Sequence, residues 1–244
     1  YCTLVSDEWD CELMHEMQIE RVHQLKELGY LAFKMEPMMS SEENILELAR
    51  RGREAIGPDL MMSVDVGYRF DDVPSCVRIC KELEKLDTYF FETPFPIDST
   101  EPYARLAEQT TIPLAMGEHG VGRWEFLDMI KRGKLGVAQP YMNTCGGITE
   151  AKRIVEQAMD YGALVIPGNW STQILGAATV HLAAYSRISP YVEFAPADVF
   201  DSPLRQHIQD LSHPVVDGVI KLPTIPGIGI ELPEDLVKGF TLDL

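Results

Sequence analysis

Strand-length apolar bursts alternate with stretches of helical period along most of the chain, and no other feature constrains the fold as tightly. A strand, a crossover helix and a second strand running the same way make one βα unit, and its repetition builds a parallel sheet. The bursts lie at Tyr1–Ser6, Ala32–Glu36, Leu60–Asp65, Tyr89–Glu92, Leu114–Glu118, Gly136–Gln139, Ala163–Pro167 and Val192–Phe194. Between them Met14–Leu28, Ser41–Ile56, Val73–Leu86, Arg123–Arg132, Thr149–Tyr161 and Ile174–Tyr185 place apolar residues at i, i+3 and i+4 and leave Lys, Arg and Glu outside. Gly29, Gly57 and Gly162 each stand just past a helix, where a left-handed residue ends it without a Cβ penalty, and Ser40 with Glu43 fits a capping box.

Eight such units in 244 residues predict an α/β fold of the (β/α)8 TIM-barrel type, which takes roughly 250 residues. No GxGxxG follows the first strand, which argues against a dinucleotide-binding doubly wound sheet. The repeat gives out near residue 202. Residues 1–202 are expected to form the barrel, and 203–244, with Pro223, Pro226, Gly227 and Gly229, an irregular extension packed on it or on a further domain.

Charge and composition narrow the partners. With 38 acidic and 21 basic residues the formal net charge is −17, a field that repels phosphate backbones and anionic lipid surfaces. No apolar run approaches the roughly 20 residues of a membrane span. Neither nucleic acid nor a membrane is expected as a partner. The five cysteines, Cys2, Cys11, Cys76, Cys80 and Cys145, are odd in number and form no CxxC pair, which predicts reduced thiols and a cytoplasmic location.

In a parallel barrel the chemistry gathers at the C-terminal ends of the strands. Asp65 closes LMMSVD, Glu92 closes YFFE and Glu118 closes PLAMGE, each one βα unit from the next. Any one of them alone reads as a helix cap or a solvated charge. Three in series predict carboxylates at similar height converging on one spot, where mutual repulsion raises their pKa values unless a divalent cation relieves it. An oxygen-only set suits Mg²⁺ or Mn²⁺ rather than zinc or copper. No glycine-rich phosphate loop follows strands seven and eight, where the chain reads PGNWST and FAPAD, so a phosphate-binding barrel is the weaker alternative.

Taken in order, FKME, VDVGY, FFETPFP, IPLAMGEHG, QPYMNTCGGITEA, VIPGNWST and the closing PGIGIELP resemble the strand-end motifs of the mandelate racemase and muconate lactonizing branch of the enolase superfamily. The resemblance implies Mg²⁺ on Asp65, Glu92 and Glu118, and abstraction of the proton α to a carboxylate to give an enediolate. Racemisation, cycloisomerisation or loss of water would follow, with acid-sugar dehydration placed first. It also implies a homo-oligomer, a small carboxylate substrate and an N-terminal capping domain absent from these residues.

The sequence departs from that pattern where the base should be. The family ends its second strand in Lys-x-Lys, and here Glu36 stands in the second place, on the same face as Lys34 by strand alternation. The Asp and His of the family's usual dyad are replaced by Tyr141 and Gly168. The candidate proton-handling groups are therefore Lys34, its pKa lowered by burial or else paired with Glu36 or a metal ligand, and Glu36, Tyr141 and His119. Asn143, Asn169 and Trp170 lie on loops that could reach substrate, and Glu193 matches a position that in the family hydrogen-bonds the substrate carboxylate. A barrel that binds a carboxylate without turnover is the alternative from another class.

Overall fold

A computed structural model describes residues 1–4, 10–37, 40–194, 208 and 215–241. Among these residues seven strands pair in parallel in the order of the sequence: β1 (Cys2–Leu4), β2 (Ala32–Met35), β3 (Met61–Asp65), β4 (Phe91–Glu92), β5 (Leu114–Met116), β6 (Val137–Ala138) and β7 (Leu164–Val165). Helices α1 (Cys11–Glu27), α2 (Glu42–Ile56), α3 (Val73–Glu84), α4 (Glu101–Ala107), α5 (Gly122–Lys131), α6 (Gly147–Tyr161) and α7 (Gln173–Tyr185) alternate with them. The sequence pattern had not singled out α4, a seven-residue helix that opens on Glu101-Pro102.

The eighth expected strand, Val192–Phe194, is not part of this sheet. It contributes one isolated parallel bridge, Cys2 to Phe194. Even so, it touches both edges: Phe194 N–H donates to Tyr1 O at 2.8 Å, and Glu193 N–H donates to Pro167 O, just past β7, at 3.4 Å. The seven-stranded sheet is thus curled far enough for one short segment to reach its first and last strands. Pro190 and Pro196 flank that segment, and a residue without an N–H limits how long a ladder can run.

The helix ends follow local chemistry. Asp10 caps α1 by accepting from Glu12 and Leu13 N–H, and Asp72 caps α3 ahead of Pro74. The α2 cap is Ser41, which accepts from Asn44 N–H at 3.2 Å. The expected capping box at Ser40 is not formed, because that hydroxyl donates to Pro37 O instead. Gly29, Gly57 and Gly162 have φ of 84°, 88° and 72°, the left-handed conformation expected of them.

Beyond the seven-stranded sheet the expectation of an irregular tail is corrected in part. Val215–Val216 (β8) and Val219–Ile220 (β9) form an antiparallel hairpin around Asp217-Gly218, both at positive φ, and Glu234–Phe240 forms the helix α8. An Asp-Gly pair between two-residue β-branched runs is a strong hairpin signal, since both turn residues must accept φ > 0. No described helix is long and apolar enough to cross a membrane.

Period-two alternation sorts the strand residues. Tyr1, Ala32, Met61, Phe90, Ala115, Val137 and Ile166 form one buried cluster, the floor inside the curled sheet. The complementary positions, among them Phe33, Met62, Val64, Phe91, Leu114 and Met116, pack with the helices in a second and larger cluster. One step further along the inward face the floor gives way to Thr3, Lys34, Ser63, Glu92 and Gln139, all buried. β1, β2, β3, β4 and β6 therefore carry an apolar plug followed by a polar residue, whereas β5 and β7 carry glycine there.

On β5 the inward series is Ala115 then Gly117, and Gly117 breaks it. Its φ is 140°, and a Cβ there would lie 2.6 Å from Phe126 and 2.9 Å from Gln139 O. That turn lets Glu118 leave strand parity. Gly117→Ala combines backbone strain with overpacking, and is expected to cost about 3 kcal/mol by urea denaturation.

Candidate active site

The polar layer is organised around Lys34. Its ammonium donates to Asp65 Oδ2 at 3.1 Å and to both oxygens of Glu92 at 3.0 Å, and lies 3.2 Å from Glu193 Oε1. All four side chains are buried. β2 presents Lys34 inward, β3 and β4 place Asp65 and Glu92 as direct register partners, and the closing segment brings Glu193 round to meet them.

Each carboxylate has further partners that the motifs did not reveal. Asp65 Oδ1 accepts from Thr93 Oγ1 at 2.8 Å and Gly67 N–H at 3.1 Å. Glu92 accepts from Gln139 Nε2 at 2.8 Å. Glu193 accepts from Thr3 Oγ1 at 2.7 Å, Tyr141 OH at 2.7 Å and Asn169 N–H at 2.8 Å. The strand alternation that places Lys34 inward also places Thr3 and Gln139 there, so that signal was present in the sequence. Thr93 is harder to foresee, because its φ of 43° takes it out of strand geometry.

The structure brings together two of the three expected metal ligands and separates the third. Asp65 and Glu92 stand side by side, whereas the register partner of Glu92 on β5 is Ala115, and Glu118 comes three residues later, past Gly117. Three carboxylates in register are therefore not found. Glu118 is part-exposed and accepts from the Tyr68 hydroxyl, and Tyr68 itself sits at φ 65°. Among the described residues no three Asp, Glu, His or Cys side chains already form a metal cage.

The donor chemistry nevertheless fits a hard divalent cation. Asp65, Glu92 and Glu193 hold a single ammonium, Glu36 feels the charges of Asp65, Glu193 and Glu118 beside them, and every donor is an oxygen. Burial, followed by the charge of Asp65, pushes the Glu92 carboxyl well above its usual range. Additional positive charge at this point would relieve that penalty.

Lys34 does not behave as a base with a depressed pKa. Burial alone lowers it, but Glu193, Glu92, Tyr1 and Asp65 reverse the effect, and its pKa lies well above the usual lysine value. It is a fixed cation, paired with Asp65, Glu92 and Glu193, and no ion pair to Glu36 is formed. Glu193 is opposed by burial, yet Lys34, Asn169 N–H, Thr3 and Tyr141 outweigh this and lower its pKa to about 2.

Glu36 lies just past β2, half-buried, and its carboxylate has no hydrogen-bond partner among the described residues. Its main chain is held by Gln18, which donates to Glu36 O at 2.6 Å and accepts from Glu36 N–H at 3.1 Å. Burial, then the charge of Asp65, raises its pKa to about 8, within the range useful for proton transfer near neutrality.

The other expected residues divide into two groups. Tyr141 and Asn169 are buried and meet at Glu193, and burial keeps the Tyr141 phenol protonated. Asn169 Oδ1 has no partner among the described residues. Trp170 packs against the core beside Asn169. His119 lies at the rim, with its side chain 64% exposed, stacked on Tyr68 and 3.7 Å from Glu118 Oε1. Asn143 is exposed on the loop after β6 and takes no part in the group around Lys34.

Comparison with known proteins gives a consistent picture. Residues 17–236 match the family model described as enolase C-terminal domain-like. The chain is 30% identical over 237 residues to the D-galactonate dehydratase of Xanthomonas oryzae pv. oryzae, covering 90% of this chain and 60% of that protein. It is 28% identical over 219 residues to the D-galactarolactone cycloisomerase of Agrobacterium fabrum, covering 88% and 57%. A solved mandelate racemase/muconate lactonizing enzyme from Sulfitobacter sp superposes with a TM-score of 0.84 at 25% identity, over 98% of this chain and 63% of that one. The chain thus spans about three fifths of the curated relatives it matches.

A carboxyl whose pKa is raised by folding weakens the fold where it must ionise. The metal-free protein should therefore lose stability as pH rises from about 4.5 towards 8, through the window set by Glu36. Glu36→Gln is expected to match the parent near pH 4 and to exceed it above pH 8 by on the order of 2 kcal/mol in urea denaturation.

Proposed function

We propose, for a chain that belongs to the enolase C-terminal domain-like family, that it is the barrel part of a Mg²⁺-dependent lyase or isomerase acting on an acid sugar. Dehydration stands ahead of cycloisomerisation and racemisation. The observation that carries this reading is Lys34 held as a cation between Asp65, Glu92 and Glu193 at one end of a curled parallel sheet. The likeness to a D-galactonate dehydratase and a D-galactarolactone cycloisomerase supports the substrate class. We read Val192–Phe194 as the eighth position of the barrel, residues 1–202 as its extent and 203–244 as the extension, with a capping domain in the full protein.

Asp65, Glu92 and Glu118 would hold the cation, Mg²⁺ or Mn²⁺, with Glu118 released from Tyr68. When bound, such a cation withdraws electron density from a substrate carboxylate and lowers the cost of the charge that forms there. Lys34 supplies fixed positive charge beside the same point. Glu193, anchored by four partners, fixes the positions of Lys34, Tyr141 and Asn169 around the substrate, and Asn169 Oδ1, without a partner among the described residues, offers an acceptor to a sugar hydroxyl.

Glu36 is the proton acceptor in this scheme. The substrate C–H bond α to the carboxylate breaks, its proton passes to the Glu36 carboxylate, and its electron pair moves into the carboxylate to give an enediolate. Expulsion of the β-hydroxyl, protonated from His119 at the rim, then yields an enol and water. Lys34 holds its proton throughout.

Two measurements test this reading. Asp65→Asn and Glu92→Asn are each expected to abolish Mg²⁺ binding in calorimetry of the full-length protein, and retained binding in both would rule out the site. Glu36→Gln is expected to lower kcat at least about 100-fold on a turned-over aldonate or its lactone, in the range set by loss of a general base. Binding of those acids with no turnover by the parent would favour the carboxylate-binding barrel.

A further inference from the structure

The β6–β7 side of the site has a construction of its own. Inward positions on β7 run Leu164, Ile166, Gly168, and those on β6 run Val137, Gln139, Tyr141, so both Gly168 and Tyr141 stand where side chains enter the site. A Cβ on Gly168 would lie 1.7 Å from Tyr141 Cε2 and 2.3 Å from Cδ2 and Cζ. The glycine is not required by its backbone, whose φ lies outside the left-handed region. It is required by the ring that covers it.

The ring is also pinned from its far end. Tyr141 OH donates to Glu193 Oε2 at 2.7 Å, the oxygen that also accepts from Asn169 N–H, and Gly168 N–H donates to Pro140 O at 3.3 Å. Tyr141 cannot swing aside without giving up its buried partner. Residues 139–146 after β6 and 166–172 after β7 contain no Asp, Glu, His, Lys or Arg, so neither stretch supplies a proton acceptor for neutral pH. Lys34 and Glu36 come from β2 and its end, four places from β6 in the strand order, and Glu193 stands between Lys34 and Tyr141.

We propose that Tyr141, interlocked with Gly168 and Glu193, is a specificity-determining residue that walls off the β6–β7 side, so that a substrate carbon exchanges its proton on one face only. The inference rests on the function proposed above and deepens it. The site removes a proton and expels a leaving group, or returns the proton to the side it came from, and it does not invert the carbon. In the exchange the C–H bond breaks towards the β2 side, the proton goes to the Glu36 carboxylate, and a solvent-derived proton comes back from the same carboxyl.

The test has two arms, both on the full-length protein. In the first, Gly168→Ala is expected to lower Tm by about 5 °C, as overpacking of a fixed ring requires. In a Tyr141→Ala background it should cost next to nothing, and in Tyr141→Phe, which keeps the ring, the loss should persist. Equal losses in all three backgrounds overturn the interlock. In the second arm the parent is incubated with Mg²⁺ in deuterium oxide and a panel of aldonates and their lactones, and followed by NMR. Turnover or deuterium entry without any C2 epimer is expected, and epimer formation by the parent overturns the one-sided site whatever the first arm shows. An intact interlock with no reaction of any panel member counts against the proposed function and leaves the wall standing.

Discussion

One buried ammonium surrounded by three carboxylates sets the terms for the rest of this structure. Moving a lysine out of water costs several kcal/mol, and three carboxylates in the same low-dielectric space would repel one another. Neither set is tolerable without the other. Lys34, Asp65, Glu92 and Glu193 come from β2, β3, β4 and the segment that closes the sheet, so their association joins distant parts of the curled sheet as well as setting the chemistry of its mouth. The surrounding hydroxyls and amides of Thr3, Thr93, Gln139 and Tyr141 occupy the lone pairs that the ammonium leaves. The excess of negative charge that persists is what a divalent cation would answer.

Alternation along the strands delivers this arrangement. The floor from Tyr1 to Ile166 is buried, and two residues later on the inward face five of the seven strands turn polar. Burial raises the pKa values of Glu36 and Glu92, whereas at Lys34 the surrounding carboxylates reverse its effect. Lys34 and Glu193 are driven towards their charged forms by one another, whereas Glu36, two residues along the same strand face, has no such partner and is driven towards neutrality. Two neighbouring titratable groups are thereby driven in opposite directions, Lys34 towards its charged form and Glu36 towards its neutral one.

Much of the site was legible in the sequence, and the failures have local causes. Asp65 and Glu92 stand out as charges that end apolar strands, and Glu193 stands out through the resemblance to the family. The register of Glu118 was misjudged because counting βα units cannot see the turn at Gly117, where φ of 140° and the ring of Phe126 take the chain out of parity. Tyr68 was missed for a similar reason: at φ 65° it reaches a residue fifty positions on, and no period connects them. The hairpin at Asp217-Gly218 was present as a turn signal but is too short to register as alternation.

The sequence by itself determined the parallel βα architecture, the order of the strands and the family, because period-two and helical patterns are local consequences of which residues can be buried. It also determined which residue types could reach the mouth. Only the tertiary structure decided what those residues do. Whether Lys34 loses or keeps its proton depends on three carboxylates contributed from distant parts of the chain, and whether position 168 can carry a side chain depends on a ring from the neighbouring strand. Electrostatic and steric effects of that kind depend on distances through space, which spacing along the chain does not encode.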